Sequence, residues 1–245
     1  MDSQQTMGTA LNPSSAIVSF SGGQDSTTAL AWALSRYEIV ETVGFRYGQK
    51  HLVEMERRPI IRAAIAELDP NWKLRLGLDH IVELDLIGQI TAKDVSSPID
   101  RPLITGEGAA AGRRYIPGRN LIFLSMCASV AFRRGIRTLV TGTSETEYSG
   151  YPDCRDTSMK AIETAINLSS GLTFTVECPL MWLDKAGVWE LSQSLGGREF
   201  INIVQEDTHT CYLGSREVRH EWGYGCGKCD ACRLREKGWR DFCSR

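Results

Sequence analysis

The sequence predicts an α/β fold: a mostly parallel sheet flanked by helices, with a small zinc-binding cysteine motif at the C-terminus. Three observations predict it. Short β-branched runs alternate with longer helical runs along most of the chain, as in parallel βα units. A glycine pair, Gly22 and Gly23, joins the first strand to the first helix. Four of the eight cysteines cluster near the C-terminus.

The organisation of the chain follows from its composition. With 245 residues and 42% apolar content it can bury one full core. Residues 1–15 are polar, lack the features of a secretory signal and are expected to form a flexible tail. Residues 16–205 are predicted to form the α/β domain, and residues 206–245 a zinc-binding segment packed on it. No apolar run reaches membrane-spanning length. The net charge of −2 argues against a protein whose main task is to grip a polyanion.

The first half of the chain predicts three strands and two helices. The apolar run at 16–19 predicts a buried strand, and the Ala- and Leu-rich run at 26–34 predicts a helix. Residues 41–45 predict a second strand. Residues 52–68 predict a second helix, with Glu54, Arg57 and Arg58 on its solvent face. Residues 80–84 predict a third strand.

The second half begins with a break in the pattern. Residues 91–114 are rich in Ser, Pro, Gly and Ala without a regular apolar period, and we expect a lid that orders over a ligand. A strongly apolar helix is then predicted at 121–134 and a buried strand at 138–142. A helix at 156–168, a strand at 173–177 and a helix at 184–195 complete the prediction.

The loop after the first strand carries the strongest functional signal. It reads Ser-Gly-Gly-Gln-Asp-Ser, and glycine lets the backbone take positive φ and approach a ligand closely. The following helix directs its free N–H groups and positive dipole end at the same place, which suits phosphate. Hydroxyls of Ser21, Ser26 and Thr27 add donors. Neither the Walker pattern nor the dinucleotide fingerprint is present. The alternative is an ordinary strand-to-helix turn.

The C-terminal cysteines predict a metal site. Two-residue spacers within the group let neighbouring thiolates converge on one tetrahedral ion, which is typical of a closed structural zinc site. The predicted ligands are Cys211, Cys226, Cys229 and Cys232. An iron–sulfur cluster is the alternative, although the bacterial ferredoxin pattern requires a fourth cysteine three residues further on, where this chain has Arg233 to Glu236.

The glycine loop resembles the pyrophosphate loop of the N-type ATP pyrophosphatases, which cleave ATP between the α and β phosphates. Within that superfamily, several strings in the right order resemble the 7-cyano-7-deazaguanine synthase family. They are residues 45–51, 116–120, 142–155 and 179–185 and the cysteine group. The match extends from about residue 16 to about residue 235, and the string Tyr-Ser-Gly-Tyr-Pro-Asp-Cys-Arg is its most specific part.

The resemblance implies a Rossmann-like fold of the adenine nucleotide alpha-hydrolase type and an ATP-dependent carbon–nitrogen ligase of queuosine biosynthesis. The implied reaction converts 7-carboxy-7-deazaguanine and ammonia to the nitrile in two adenylation rounds, acid to amide and amide to nitrile. Each round releases AMP and pyrophosphate. ATP with Mg²⁺ is the implied co-substrate, and Zn²⁺ the implied structural metal. We also expect a cytoplasmic homodimer with neither a stable nucleic-acid partner nor a membrane partner.

The resemblance also assigns candidate residues. The implied ATP-binding residues are Phe20, Ser21, Gly22, Gly23, Gln24, Asp25, Ser26, Thr27, Thr28, Ala29 and Leu30. The implied catalytic residues are Asp25, Lys185, Arg119 and His51. Asp25 is either a Mg²⁺ ligand or a helix N-cap, and Lys185 is either a phosphate clamp or a solvated surface lysine. Arg119 would contact phosphate or the substrate carboxylate. His51 either polarises a carbonyl or lines the pocket.

The implied substrate-binding residues are Tyr47, Gln49, Asn120, Tyr151, Asp153 and Arg155. Tyr47 and Gln49 follow a predicted strand, where ligands of open parallel sheets gather. Asn120 has a helix cap as its alternative role. Three alternatives to the function stay open at this point: a tRNA-modifying adenylating enzyme, a zinc-ribbon binding module with an inactive nucleotide domain, and a deazaguanine ligase acting on a macromolecule.

Overall fold

The computed structural model describes residues 14–49, 52–84, 118–146 and 151–245, and its centre is a five-stranded sheet. The strands are β1 (Ser15–Ser19), β2 (Ile39–Arg46), β3 (Leu76–Glu83), β4 (Thr138–Thr141) and β5 (Thr175–Glu177). All neighbours are parallel, in the order β3-β2-β1-β4-β5. Because β1 is central and covered on both faces, residues 16–18 are apolar and fully buried.

Helices cover both faces of this sheet. They are α1 (Gln24–Leu34), α2 (Val53–Leu68), α3 (Pro70–Arg75), α4 (Arg119–Arg134), α5 (Asp156–Ser170), α6 (Lys185–Asp207) and α7 (Asp230–Ser244). One apolar cluster joins α1, α2, α3, α6 and α7 to one face, and a second joins α4 and α5 to the other. A short hairpin, β6 (Arg219–His220) and β7 (Gly223–Tyr224), precedes α7. Within the described ranges, the helices are too short or too polar to cross a membrane.

The sheet has a switch point between β1 and β4. From β1 the chain adds β2 and β3 on one side and later β4 and β5 on the other. Loops that leave the carboxyl ends of such strands diverge and leave a crevice where ligands of open α/β sheets bind. The two loops nearly touch here, because a Cβ on Gly142, directly after β4, would lie 2.8 Å from the carbonyl of Asp25.

The predicted α/β class and parallel sheet are confirmed, with differences at particular elements. The helix predicted to end at residue 195 breaks at Gly196 and Gly197 and then continues to Asp207. The predicted boundary before residue 206 therefore falls inside α6. Helix α3, the hairpin and α7 were not predicted. Most of the tail and the whole 91–114 segment lie outside the described residues.

The prediction that Glu54, Arg57 and Arg58 of α2 face solvent is wrong. The Arg58 side chain is fully buried, lies over the Phe20 ring with its Cζ 4.9 Å from the ring centroid, and forms an ion pair with Asp79. Burial lowers the pKa of Arg58 to about 10. Gly44 on β2 makes room for it, since any Cβ there would overlap the guanidinium. Arg57 is partly buried and donates to the carbonyl of Asp207 at 2.8 Å.

Candidate active site at the switch between β1 and β4

The loop between β1 and α1 is held by its own hydroxyls. The Oγ of Ser26 accepts from the N–H groups of Ser21 and Gly22, each at 3.2 Å, and lies 3.0 Å from the Oγ of Ser21. The N–H of Gly23 donates to the Oγ of Ser21 at 3.3 Å. The predicted phosphate donors are thus partly engaged within the loop. The hydroxyls of Ser21 and Ser26 were expected to donate to phosphate, but in the structure they form hydrogen bonds that hold the loop in shape.

The two glycines of the loop differ in their backbone. Gly22 has a φ of 93°, and a Cβ there would lie 2.5 Å from the carbonyl oxygen of Glu54. Gly23 has a φ of −82° and is the N-cap of α1, with space for a Cβ at ordinary contact distance from its neighbours. The expectation of unusual backbone freedom therefore holds for Gly22 and is wrong for Gly23.

The first turn of α1 faces the crevice. Its first helical hydrogen bond runs from the N–H of Thr27 to the carbonyl of Gly23 at 3.0 Å. The N–H groups of Gln24, Asp25 and Ser26 precede that ladder, so they are the helix-start donors that suit an anion. The amide of Gln24 and the hydroxyl of Thr27 are buried without a hydrogen-bond partner in the described structure. This corner therefore holds unused hydrogen-bonding capacity.

The side chains at the carboxyl end of the predicted ATP-binding range face the core. Ala29 and Leu30 are fully buried in the core cluster beside α6 and α7. Thr28 is also buried, and its hydroxyl donates to the carbonyl of Gln24 at 3.0 Å and lies 2.9 Å from the Oγ of Ser192. At the other end, Phe20 is buried beneath Arg58. The side chains of these four residues support the corner from inside the protein.

Asp25 and Lys185 meet at the start of two helices. The Nζ of Lys185 donates to both carboxylate oxygens of Asp25, at 2.7 and 2.9 Å. The side chain of Lys185 is 5% exposed, so the surface-lysine alternative is wrong. The N-cap alternative for Asp25 is also wrong, because Gly23 holds that position. The pair places a fixed cation and a carboxylate beside the donors of α1.

Helix α7 holds Lys185 from behind. A Cβ on Gly238 would overlap the side chain and backbone of Lys185, so only glycine lets α7 pack this closely. Asp184 caps α6 by accepting from the N–H of Gly187 at 2.7 Å. Trp189, one turn further along α6, packs against Trp239 of α7 with ring centroids 5.0 Å apart. The C-terminal helix is therefore part of the wall of the site.

Arg119 is the second cation at this edge of the sheet. It lies at the start of α4, and its guanidinium is close enough to Tyr47 to oppose the rise that burial causes in the pKa of the Tyr47 hydroxyl. Desolvation is the largest influence on its pKa, but the neighbouring Tyr47 and Asp153 outweigh it and raise the pKa overall. Gln49 is engaged locally: its Oε1 accepts from the N–H of Tyr47 at 2.8 Å, and its Nε2 donates to the carbonyl of Phe45 at 3.1 Å. Gln49 thus holds the turn that presents Tyr47.

Asn120 and Asp153 hold two loops together. The N–H of Asn120 donates to the Asp153 carboxylate at 3.0 Å, and its Nδ2 donates to the Asp153 carbonyl at 3.2 Å and to the Cys154 sulfur at 3.3 Å. The cap alternative for Asn120 is wrong, because Gly118 is the N-cap of α4. Arg155 is exposed at the N-cap of α5. His51 lies outside the described residues.

Glu54 reaches the site from α2, which sequence reasoning missed. It is the second residue of that helix and is partly buried. Burial raises the pKa of Glu54 to about 7; the Arg119 guanidinium opposes this shift, and the Asp25 carboxylate adds to it. A carboxyl group that titrates near neutrality in a crevice is a candidate for proton transfer.

The four predicted zinc ligands converge. The sulfurs of Cys211, Cys226, Cys229 and Cys232 all lie within 4.8 Å of one another. A tetrahedral zinc site with Zn–S bonds of about 2.3 Å needs sulfurs about 3.8 Å apart, so a small closure suffices. The N–H groups of Lys228 and Cys229 donate to the Cys226 sulfur, each at 3.4 Å. These bonds, led by that from Lys228, lower the pKa of Cys226 to about 6, which favours the thiolate that a metal requires. The donor set fits zinc.

The cysteine segment is joined to the rest of the protein at three points that the sequence did not reveal. The N–H of His209 donates to the carbonyl of Gly22 at 3.1 Å. Burial raises the pKa of Tyr212, and the neighbouring Tyr151, which belongs to the predicted substrate loop, adds to the rise. Arg235 is fully buried and donates to the carbonyls of Trp222 and Val204 at 2.9 and 2.7 Å. In the sequence, Gly238 within a highly charged run is the signal that could have indicated this close packing.

The sheet order, the glycine corner and the crevice at the switch point define the class: a doubly wound α/β protein with its ligand site between β1 and β4. A profile of the family described as "Queuosine biosynthesis protein QueC" matches residues 15–243, and the chain belongs to this family. The resemblance found in the sequence is thereby confirmed.

Curated relatives have a single name in common. The chain is 50% identical over 231 residues to the 7-cyano-7-deazaguanine synthase of Paraburkholderia phymatum, covering 94% of each chain. It is 52% identical over 223 residues to that of Paracidovorax citrulli, covering 91% of this chain and 94% of the relative. The chain is thus an enzyme of this family. A solved 4-thiouridine synthetase–RNA complex with bound ATP is similar at 19% identity and a TM-score of 0.48, covering 94% of this chain and 50% of that one.

Proposed function

We propose that the protein is an ATP-dependent carbon–nitrogen ligase that converts 7-carboxy-7-deazaguanine and ammonia to 7-cyano-7-deazaguanine in queuosine biosynthesis. The name of the relatives supports the product. The reaction runs through an adenylated acid and an adenylated amide, and each round releases AMP and pyrophosphate. The observation that carries the adenylation step is the Asp25–Lys185 pair beside the N-terminus of α1.

The corner after β1 suits the departing pyrophosphate. A carboxylate oxygen is a poor leaving group, and attachment to AMP makes it a good one. Negative charge then accumulates on the pyrophosphate, where the helix-start N–H groups and the ammonium of Lys185 stabilise it. Charge stabilisation placed where charge develops is usually the largest catalytic contribution. Mg²⁺, when bound, neutralises phosphate charge, and Asp25 offers it a carboxylate oxygen.

The edge formed by α4 and the substrate loop suits the deazapurine. Arg119 offers a planar pair of donors to a carboxylate, and Tyr47, Asn120 and Tyr151 lie around it. Asp153 and Arg155 belong to the same loop as Tyr151 and complete the proposed set of substrate contacts. The zinc that we propose for the four cysteines is structural, because four protein ligands leave no open position. The homodimer and the cytoplasmic location stay predictions.

The test is product analysis. Purified protein with ATP, ammonium and 7-carboxy-7-deazaguanine is expected to give the nitrile, AMP and pyrophosphate, read by mass spectrometry. Asp25→Ala is expected to abolish all three products. Accumulation of ADP, or tight and salt-sensitive binding of bulk tRNA in a gel shift, would contradict the proposal and favour the RNA-modifying alternative.

A further inference from the structure

Glu54 is a carboxylate of the site that the adenylation chemistry leaves without a role. Its backbone lies against the proposed phosphate corner, because a Cβ on Gly22 would lie only 2.5 Å from the carbonyl oxygen of Glu54. Its carboxyl interacts electrostatically with Asp25 on α1, with Arg119 on α4 and with Tyr47 at the end of β2. Glu54 therefore lies between the proposed phosphate corner and the proposed substrate edge.

The other carboxylates at this edge, in the described part of the chain, are already engaged. Asp25 accepts both hydrogen bonds of the Lys185 ammonium. Asp153 accepts the N–H of Asn120 and so fixes the start of α4. Each round of the reaction must nevertheless remove protons from nitrogen, which requires a base within the site.

We propose that Glu54 is the proton acceptor for the substrate nitrogen in both rounds. This inference rests on the proposed function and names the residue that accepts the protons in that reaction. In the first round the ammonia lone pair forms the C–N bond, the C–O bond to AMP breaks, and AMP leaves with that electron pair. The nitrogen, cationic after attack, transfers one proton to the Glu54 carboxylate, which yields the neutral amide.

In the second round the amide oxygen attacks the α-phosphorus of ATP and pyrophosphate leaves, which gives an adenylated imidate with two N–H bonds on a cationic nitrogen. The Glu54 carboxylate accepts one of these protons and passes it to water, and the neutral imidate then carries one N–H. Its N–H bonding pair becomes the third C–N bond while the C–O bond to AMP breaks, and the Glu54 carboxylate accepts the proton. Water then removes the proton from the carboxylic acid. Because burial raises the pKa of Glu54 to about 7, the group is a stronger base than an exposed glutamate and still ionises near neutral pH.

The test separates adenylation from nitrogen chemistry. Adenylation is measured as exchange of labelled pyrophosphate into ATP that depends on 7-carboxy-7-deazaguanine, and the second round as conversion of the synthetic amide to the nitrile. Glu54→Gln keeps the shape of the side chain and removes the base. We expect exchange within about threefold of wild type and nitrile formation slower by roughly 10²- to 10⁴-fold. Glu56→Gln, on the exposed side of α2, is the matched control and is expected to match wild type in both assays.

A pH profile of wild type tests the same inference without a variant. Starting from the amide avoids the titration of ammonium, and the rate is expected to rise with pH to a plateau above about 7, as the carboxyl ionises. A flat profile between pH 5.5 and 8.5 (roughly the range in which such a base titrates) would overturn the assignment. If Glu54→Gln loses both pyrophosphate exchange and nitrile formation, the assignment is overturned too, and Glu54 is a positioning residue. Absence of exchange in wild type itself would instead refute the proposed function.

Discussion

The corner after β1 and the C-terminal segment meet in one candidate site. The contacts that hold the corner join residues close in sequence, whereas those that attach the C-terminal segment join residues far apart. In the corner, Ser21 and Ser26 bond each other across five residues. Lys185, at the start of α6, donates to Asp25, which lies 160 residues earlier in the sequence. Helix α7 then packs on Lys185 through Gly238. A short-range element thus supplies the phosphate corner, and long-range packing fixes the cation that faces it.

The C-terminal cysteine segment also contacts the candidate site. The cysteine cluster lies far from Asp25 in sequence, yet the N–H of His209 donates to the carbonyl of Gly22, and Tyr212 lies beside Tyr151. We therefore expect metal binding to stabilise contacts that shape both the proposed phosphate corner and the proposed substrate edge. Four experiments test how far the corner depends on this support, from the largest expected effect to the smallest.

Cys229→Ser is expected to have the largest effect. Zinc binding to such sites is worth about 10–16 kcal/mol in isolated peptides, and loss of one thiolate forfeits much of it. We expect loss of bound zinc, a large fall in Tm and loss of pyrophosphate exchange. Metal content, thermal unfolding and exchange are measured together. Cys243→Ser, an exposed cysteine outside the cluster, is the control. Normal exchange by a zinc-free Cys229→Ser protein would show that the corner works alone.

Lys185→Met removes the fixed cation and keeps the length of the side chain. We expect kcat to fall about 10²- to 10³-fold, as for loss of one preorganised charge that stabilises a transition state. Lys237→Met is the control, because Lys237 is 70% exposed and pairs with Asp241 on its own helix. If kcat survives in Lys185→Met, the pair with Asp25 is structural.

The two glycines of the corner form a matched pair. In Gly22→Ala, positive φ costs about 1–2 kcal/mol and the Cβ meets the carbonyl of Glu54, so we expect lower stability and little exchange. Gly23→Ala has an ordinary φ and room for a methyl group, and we expect it to fold with a stability loss below about 1 kcal/mol. Chemical denaturation compares the two. Equal stability losses would contradict the conformations described for this loop.

Gly238→Ala tests the long-range support directly. The added methyl overlaps Lys185, and overpacking of this kind costs about 1–3 kcal/mol. We expect a lower free energy of unfolding and a lower kcat, because Lys185 is displaced from Asp25. Arg240→Ala, an exposed change on the same helix, is expected to leave kcat unaltered. Full activity in Gly238→Ala would mean that α7 does not position Lys185.

The sequence was sufficient for features that depend on local pattern. Strand–helix alternation predicted the sheet and most of its helices, and cysteine spacing predicted the cluster that converges in the structure. The α6 prediction ended at residue 195 because Gly196 and Gly197 interrupt the pattern, whereas tertiary packing lets the helix resume. Helix α7 was missed because its composition is highly charged and its partners lie in distant parts of the chain.

The same limit applies to the site. Asp25 and Lys185 were each named from the sequence, but their contact and the burial of Lys185 depend on the packing of α6 and α7. Arg58 and Glu54 were assigned to solvent because charged residues on an amphipathic helix usually are exposed. Here Gly44 opens space for Arg58, and Asp79 neutralises it, which a pattern along one helix does not reveal.

The close approach of Gly238 to Lys185 also bears on when the site forms during synthesis. Proteins are made from the N-terminus, and the glycine corner emerges long before α7, the last of the described elements. A ribosome-bound intermediate thus carries the corner after β1 before the helix that packs on Lys185 has been made. We therefore expect the Asp25–Lys185 pair to reach its final geometry only after α7 has been made.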